Sequence, residues 1–171
     1  MEKFKLGQQE TLYQVAEPWD FEKDGDASQL EKDMCEFMIQ NKGIGLAANQ
    51  IGLLKRVFVM GSTTIPGFPK PFAVFNPEIT EISDTLVLDD EGCLSFPGLY
   101  FKVSRPEWIQ AKFYDRDRNL HEVKMDGYLA KCFQHEFDHL NGICYTDRIS
   151  KLKLDLAIKK MRKNNKHART Q

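Results

Sequence analysis

The order of secondary-structure signals along the chain predicts an α+β fold with mainly antiparallel sheets. An early helical pattern is followed by six short β-rich runs and then by a second helix, with no regular strand–helix alternation. Its 171 residues make one domain large enough to bury a core, and 42% hydrophobic with 29% charged residues is ordinary for a globular protein.

Ser28-Gln29-Leu30-Glu31 reads as a capping box opening a helix that runs to about Lys42. Leu30, Met34, Phe37 and Met38 recur at helical spacing, with Cys35 as buried filler among them. The β-rich runs are Arg56 to Met60, Phe72 to Phe75, Thr85 to Leu88, Tyr100 to Val103, Trp108 to Tyr114 and Leu120 to Lys124. Two glycines and three prolines make Gly61 to Pro71 a loop, and the polar Asp115 to Asn119 turns a hairpin. Tyr128 to Leu140 is apolar-rich, entered through Asp126-Gly127 and stopped by Asn141-Gly142, as a helix would be. Ser150 is placed to cap a terminal helix carrying Leu154, Ile158 and Met161 on one side.

The second of these helices carries the chemistry. His135-Glu136-Phe137-Asp138-His139 puts two imidazoles four residues apart, hence on one helix face where both can hold one metal, with a carboxylate directly after the first. A surface helix rich in His and Glu is the bland alternative, and the apolar context weighs against it. A catalytic metal site needs a third protein ligand. Thermolysin-like peptidases take a downstream glutamate, but none follows Glu136; the metzincin extension needs a third His where Tyr145 stands. Cys144, Asp147 and the upstream Cys93, in Glu91-Gly92-Cys93-Leu94-Ser95, stay open as the third ligand, thiolate being a good partner for such metals.

Gly43-Ile44-Gly45-Leu46-Ala47-Ala48-Asn49-Gln50 reads by itself as a helix stop leading into a tightly packed turn. Together, the three segments resemble the signature motifs of the peptide deformylases, GxGLAAxQ, EGCLS and HExDH, in that family's order. The resemblance covers Gly43 to Gly142. It implies Cys93, His135 and His139 as metal ligands, Glu136 as general base and acid, and Gln50 with the Leu94 backbone N–H as donors to the oxyanion. It implies a substrate pocket involving Ile44, Gly45, Asp89, Tyr128, Lys131 and Cys132, and antiparallel sheets wrapped around a central metal-bearing helix. The implied reaction removes the formyl group from the N-terminal formyl-methionine of new polypeptides and releases formate. Ligand chemistry alone suits Zn2+, whereas the resemblance points to one Fe2+ ion in the cell, with Ni2+ or Co2+ as substitutes.

Two departures from the family pattern stand out. The Pro-Asp pair and Arg expected near Gln9 to Pro18 are missing, which leaves the pairing of the first strand open. Lys131 lies one turn before His135 and Asp89 four residues before Cys93, both where the resemblance implies apolar residues. Either the two pair across the pocket, or Lys131 reaches solvent and Asp89 is an exposed turn residue.

Of the four cysteines, Cys132 lies three residues before His135 and reads as pocket wall; disulfides are not expected beside a metal thiolate in a chain without a signal-peptide core. With no run of about 20 apolar residues, a cytoplasmic monomer with no membrane contact is expected. The net charge of −1 is segregated: residues 151–171 hold eight Lys or Arg and one Asp, so that segment is +7 and the remainder −8. This divides the chain into a catalytic domain, 1–150, and a basic C-terminal helix and tail, 151–171, for which the resemblance implies docking on the ribosome, where phosphate is abundant. A metallopeptidase cutting internal peptide bonds and a non-catalytic metal- or RNA-binding module are the alternatives. The failed third-ligand patterns count against the first, and Glu136 with Gln50 against the second.

Overall fold

The computed structural model describes residue 6 and residues 9–65 and 67–168, giving only backbone for 9 and 162–168. A short helix, α1 (Gln9–Leu12), precedes α2 (Ala27–Gln40) and strands β1 (Gly45–Ala47), β2 (Val57–Met60) and β3 (Phe72–Ile82). Next come β4 (Leu86–Gly92), β5 (Tyr100–Pro106), β6 (Trp108–Tyr114), β7 (Leu120–Asp126), α3 (Gly127–Leu140) and α4 (Lys151–Ala168). One antiparallel sheet has the order β1-β2-β3-β6-β7, and β4 pairs with β5 in a separate two-stranded sheet. The fold is α+β, as the pattern of elements predicts.

Strand β2 is buried at every residue because helices cover both of its faces. Phe58 and Met60 join the core on the α3 side with Phe133 and Leu140, while Val57 and Val59 pack with Met34 and Met38 of α2. Strand β5, by contrast, alternates, with Phe101, Val103 and Arg105 turned inward. The third of these inward positions carries a charge, which matters below.

Local details differ from the sequence reading, and strands β4 and β5 run on to Gly92 and Pro106. Asp26, not Ser28, caps α2: its carboxylate accepts from the N–H groups of Ser28 and Gln29, while Glu31 accepts from the Ala73 N–H. Strand β3 runs seven residues beyond Phe75, to Ile82. The segment Gly45–Ala47 is a strand, followed by a 3₁₀ turn at Ala48–Ile51; its small residues hid the strand signal. The altered N-terminal region uses isolated bridges, Val15 with Asn141 and Glu17 with Lys55. The Asp115 to Asn119 turn forms as expected, with Asp115 Oδ1 accepting from the N–H groups of Asp117 and Asn119 and Arg118 in the left-handed region.

Helix α3 lies against β1, β2, β5, β6 and β7 and so occupies the centre of the molecule. The Leu154, Ala157, Ile158 and Met161 side of α4 covers Leu99, Phe101, Val103 and Tyr145. Ser150 Oγ accepts from the Lys153 N–H at its start. The basic side chains beyond Met161 lie outside the described residues. No described helix is long and apolar enough to cross a membrane.

Candidate metal centre and active site

Helical spacing puts His135 and His139 side by side on α3, with ring centroids 5.0 Å apart. The segment after β4 brings Cys93 to the same point, its Sγ 3.3 Å from His139 Nε2. Ligand atoms of the three residues all lie within 4.8 Å of one another, a set that can hold a metal ion. Cys144, the other candidate thiolate, faces the opposite edge of His139, 3.9 Å from Nδ1. Asp147 instead accepts from the Cys144 N–H. A soft thiolate with two imidazoles suits a divalent transition metal, and burial of both imidazoles supplies the dry surroundings such a site needs.

Glu91 and Arg105 hold this cluster from behind. His135 Nδ1 donates to Glu91 Oε2 at 2.9 Å, which leaves Nε2 for a metal. Arg105 grips Glu91 with Nε at 2.5 Å and Nη2 at 2.9 Å, and its Nη1 donates to Asp138 at 2.8 Å. Arg148 closes the chain with two hydrogen bonds to Asp138, 2.7 and 2.6 Å long. Burial alone would raise the Glu91 carboxyl, but the hydrogen bonds from His135 and Arg105 outweigh it and hold the group at about 2. Sequence reasoning missed these residues. Glu91 and Asp138 sit inside the two motifs, so proximity to the ligands was a usable signal; nothing local marked Arg105 or Arg148.

Glu136 is fully buried beside strand β1, where a Cβ on Gly45 would collide with its carboxylate. Only glycine lets strand and carboxylate come this close. Burial lifts the Glu136 carboxyl to about 7, although the charges of His135 and Arg105 pull the other way. Its Oε2 is buried and has no hydrogen-bond partner among the described residues. Burial likewise drives His139 well below the ordinary imidazole value, with His135 and Arg105 acting in the same direction. The amide of Gln50 is fixed in orientation: Oε1 accepts from the Ala47 N–H at 2.8 Å, so Nε2 faces Cys93 Sγ at 3.3 Å and Ser95 Oγ at 3.0 Å. Leu94 is anchored by its side chain, which fills the space left by Gly43.

Cys93, His135, Glu136, Gln50, Leu94 and Glu91 face one cavity of about 780 Å³. Of the sequence-predicted site residues, Ile44, Gly45, Tyr128, Lys131 and Cys132 line it with Cys93, Leu94, Gln50, His135 and Glu136, whereas two do not: His139, fully buried behind Cys93, and Asp89, expected in the pocket but lying just outside its wall. Asp89 reaches the cavity through Lys131, whose Nζ forms an ion pair with its carboxylate, so the two departures do meet. The Lys131 ammonium also stands 4.3 Å from the centre of the Tyr128 ring. Cys132 donates weakly to the Ile44 carbonyl at 3.5 Å, and burial raises its thiol well above the usual range.

A thiol and two imidazoles that could hold a metal ion, with a buried carboxylate beside them, are the donor set of a metal-dependent hydrolase. Comparison with known sequences narrows it: the family described as polypeptide deformylase matches residues 1–155, and the chain belongs to that family. A peptide deformylase of Wolbachia pipientis wMel is 46% identical over 147 residues, 81% of this chain and 82% of the relative. The solved peptide deformylase of Synechococcus elongatus, in complex with actinonin, superposes with a TM-score of 0.84 at 33% identity, covering 94% of this chain and 89% of that one. That of Legionella pneumophila gives 0.83 at 34% identity, over 99% and 98%.

Proposed function

We infer that this enzyme hydrolyses the N-formyl group of formyl-methionyl nascent peptides, with Cys93, His135 and His139 holding the metal and Glu136 moving the proton. The observation that carries the reading is the clustering of Cys93, His135 and His139 at the wall of the cavity that Glu136 also lines, with a Glu136 oxygen that has no partner among the described residues. When bound there, a divalent cation supplies Lewis acidity, which brings the pKa of water to about 7 and polarises a carbonyl. Glu136 accepts the proton of the attacking water. As oxygen adds to the formyl carbon, negative charge develops on the former carbonyl oxygen, and Gln50 Nε2 with the Leu94 N–H are the donors for it. The C–N bond then breaks, Glu136 returns its proton to the departing amine nitrogen, and formate leaves. A carboxyl held near 7 suits both directions of transfer.

The donor set accommodates Zn2+, Ni2+ or Co2+, and we propose Fe2+ as the cellular ion on family grounds, so activity is expected to fall in air. We propose that residues 1–150 form the catalytic domain of a cytoplasmic monomer and that the +7 segment 151–171 contacts the ribosome, binding that should weaken with salt. Formate release from formyl-Met-Ala-Ser under anaerobic conditions tests the activity. Glu136→Ala should keep its metal and lose about 10²- to 10⁴-fold in kcat. An active Glu136→Ala enzyme would remove Glu136 from the mechanism, and cleavage of internal peptide bonds without formate release would favour a peptidase.

A further inference from the structure

Beside His135, the recess of the cavity is walled by Ile44, Cys132 and the stem of Lys131, with Cys132 tied to the Ile44 carbonyl. Lys131 stands one helical turn, about 5.4 Å, from His135 and Tyr128 nearly two turns. A substrate with its formyl carbon at the metal centre can therefore send its first side chain along α3 to the level of Lys131.

The Lys131–Asp89 pair is asymmetric. The Lys131 side chain is 12% exposed and that of Asp89 49%, so the cation is the inner member and the carboxylate the outer one. Helical side chains lean toward the N-terminus, which carries the ammonium back over the Tyr128 ring instead of out to solvent. A lysine ammonium has three donors. Among the described residues the one hydrogen-bond acceptor recorded for Lys131 Nζ is Asp89 Oδ2, with the Tyr128 face beside it. Donor capacity is thus available at the part of the cavity wall formed by Ile44, Cys132 and Lys131.

Resting on the deformylase reading above, we propose that Lys131 fits the first-residue pocket to side chains ending in an uncharged hydrogen-bond acceptor, methionine sulfoxide foremost, as well as to methionine. The sulfoxide keeps the length of methionine and adds one strong acceptor oxygen, and oxidation of the substrate's own first residue produces it. An anionic first residue would meet the Asp89 carboxylate, whereas a neutral acceptor would not. A wholly apolar wall would leave the sulfoxide oxygen desolvated and unpaired, which is the basis for strong rejection.

The test compares kcat/KM for formate release by the metal-loaded enzyme from formyl-Met-Ala-Ser, its methionine-sulfoxide analogue and formyl-norleucine-Ala-Ser. The native enzyme should handle the sulfoxide within about 10-fold of methionine, and the double variant Asp89→Ile with Lys131→Ile should widen that gap to about 10²-fold or more. The norleucine-to-methionine ratio should not change, and Lys131→Arg, which keeps donors, should retain the native sulfoxide ratio. An unchanged sulfoxide ratio in the double variant overturns the proposal. So does a native enzyme that prefers norleucine to the sulfoxide by more than about 10-fold, a result that needs no folded variant. No formate from any of the three peptides would instead refute the deformylase reading, and this assignment with it.

Discussion

Behind the candidate metal centre Arg105 is 3% exposed and meets two carboxylates, Glu91 and Asp138, whereas at the cavity wall Lys131 meets one carboxylate, Asp89, which is half open to solvent. The difference is one of desolvation. A guanidinium taken out of water needs charged partners, so signs alternate from Glu91 through Arg105 and Asp138 to Arg148, where the chain reaches the surface. Such a chain fixes the ring of His135, and Arg105, Asp138 and Arg148 lie outside the cavity, away from any substrate. At the wall it is the carboxylate, Asp89, that keeps water on one side, so the Lys131 cation is held by a single charged partner and retains donors for a ligand. Buried charge here serves geometry, and charge at the wall serves recognition.

That contrast makes Arg105→Met the largest expected effect. It strands Glu91 and Asp138 together, and a loss of about 3 to 5 kcal/mol in denaturant unfolding is expected. Because Glu91 would no longer be held against His135, metal affinity should fall about 10- to 100-fold in a titration of the folded protein. A variant as stable as the native protein would break the comparison.

Arg148→Ala should be milder, about 1 to 2 kcal/mol, because Arg105 still answers Asp138 and the Arg148 side chain is 38% exposed. Metal content should be retained. A loss matching that of Arg105→Met would mean that the outer link carries the whole chain.

Asp115 lies between the two extremes, with its side chain 27% exposed and bonded to His121, Asn119 and two backbone N–H groups. Burial raises its carboxyl, but these hydrogen bonds prevail and bring it from 3.8 to about 2. Since the folded value lies below the unfolded one, the carboxylate stabilises the hairpin above about pH 4, and this contribution is lost as the pH falls through about 2. Asp115→Asn should cost about 1 kcal/mol at neutral pH, with the difference shrinking as the pH falls from about 4 through about 2, measured by denaturant unfolding at several pH values. A pH-independent difference would trace the effect to shape and not to charge.

Asp89→Asn should produce the smallest change in stability, under about 1 kcal/mol, since an exposed partner is removed and Asn still offers an acceptor. A cost as large as that of Arg105→Met would show the pair to be structural and erase the contrast between wall and interior.

The helical face of His135 and His139 was legible because four-residue spacing is a local property, repeated wherever a helix forms. Strand β6 was legible end to end because it lies between a turn at each side and is strongly apolar, while β1 hid in small residues selected for close approach to Glu136. Three short motifs placed Cys93 and Gln50 beside the histidines through resemblance to a family, not through spacing.

Their partners behind the site were a different matter. Asp89 opposite Lys131 was visible as two odd charges, but whether they met depended on the distance between β4 and α3. Arg105 carried no local sign, as its place among Glu91 and Asp138 follows from the pairing of β4 with β5 and from the packing of α3 on β5. The chain by itself therefore determined what is periodic or contiguous: the helices, most strand positions and the ligand-bearing motifs. Which charges are buried, and which group answers each of them, was decided only by the tertiary structure, because desolvation depends on every element packed around a group and is written in no single stretch of the chain.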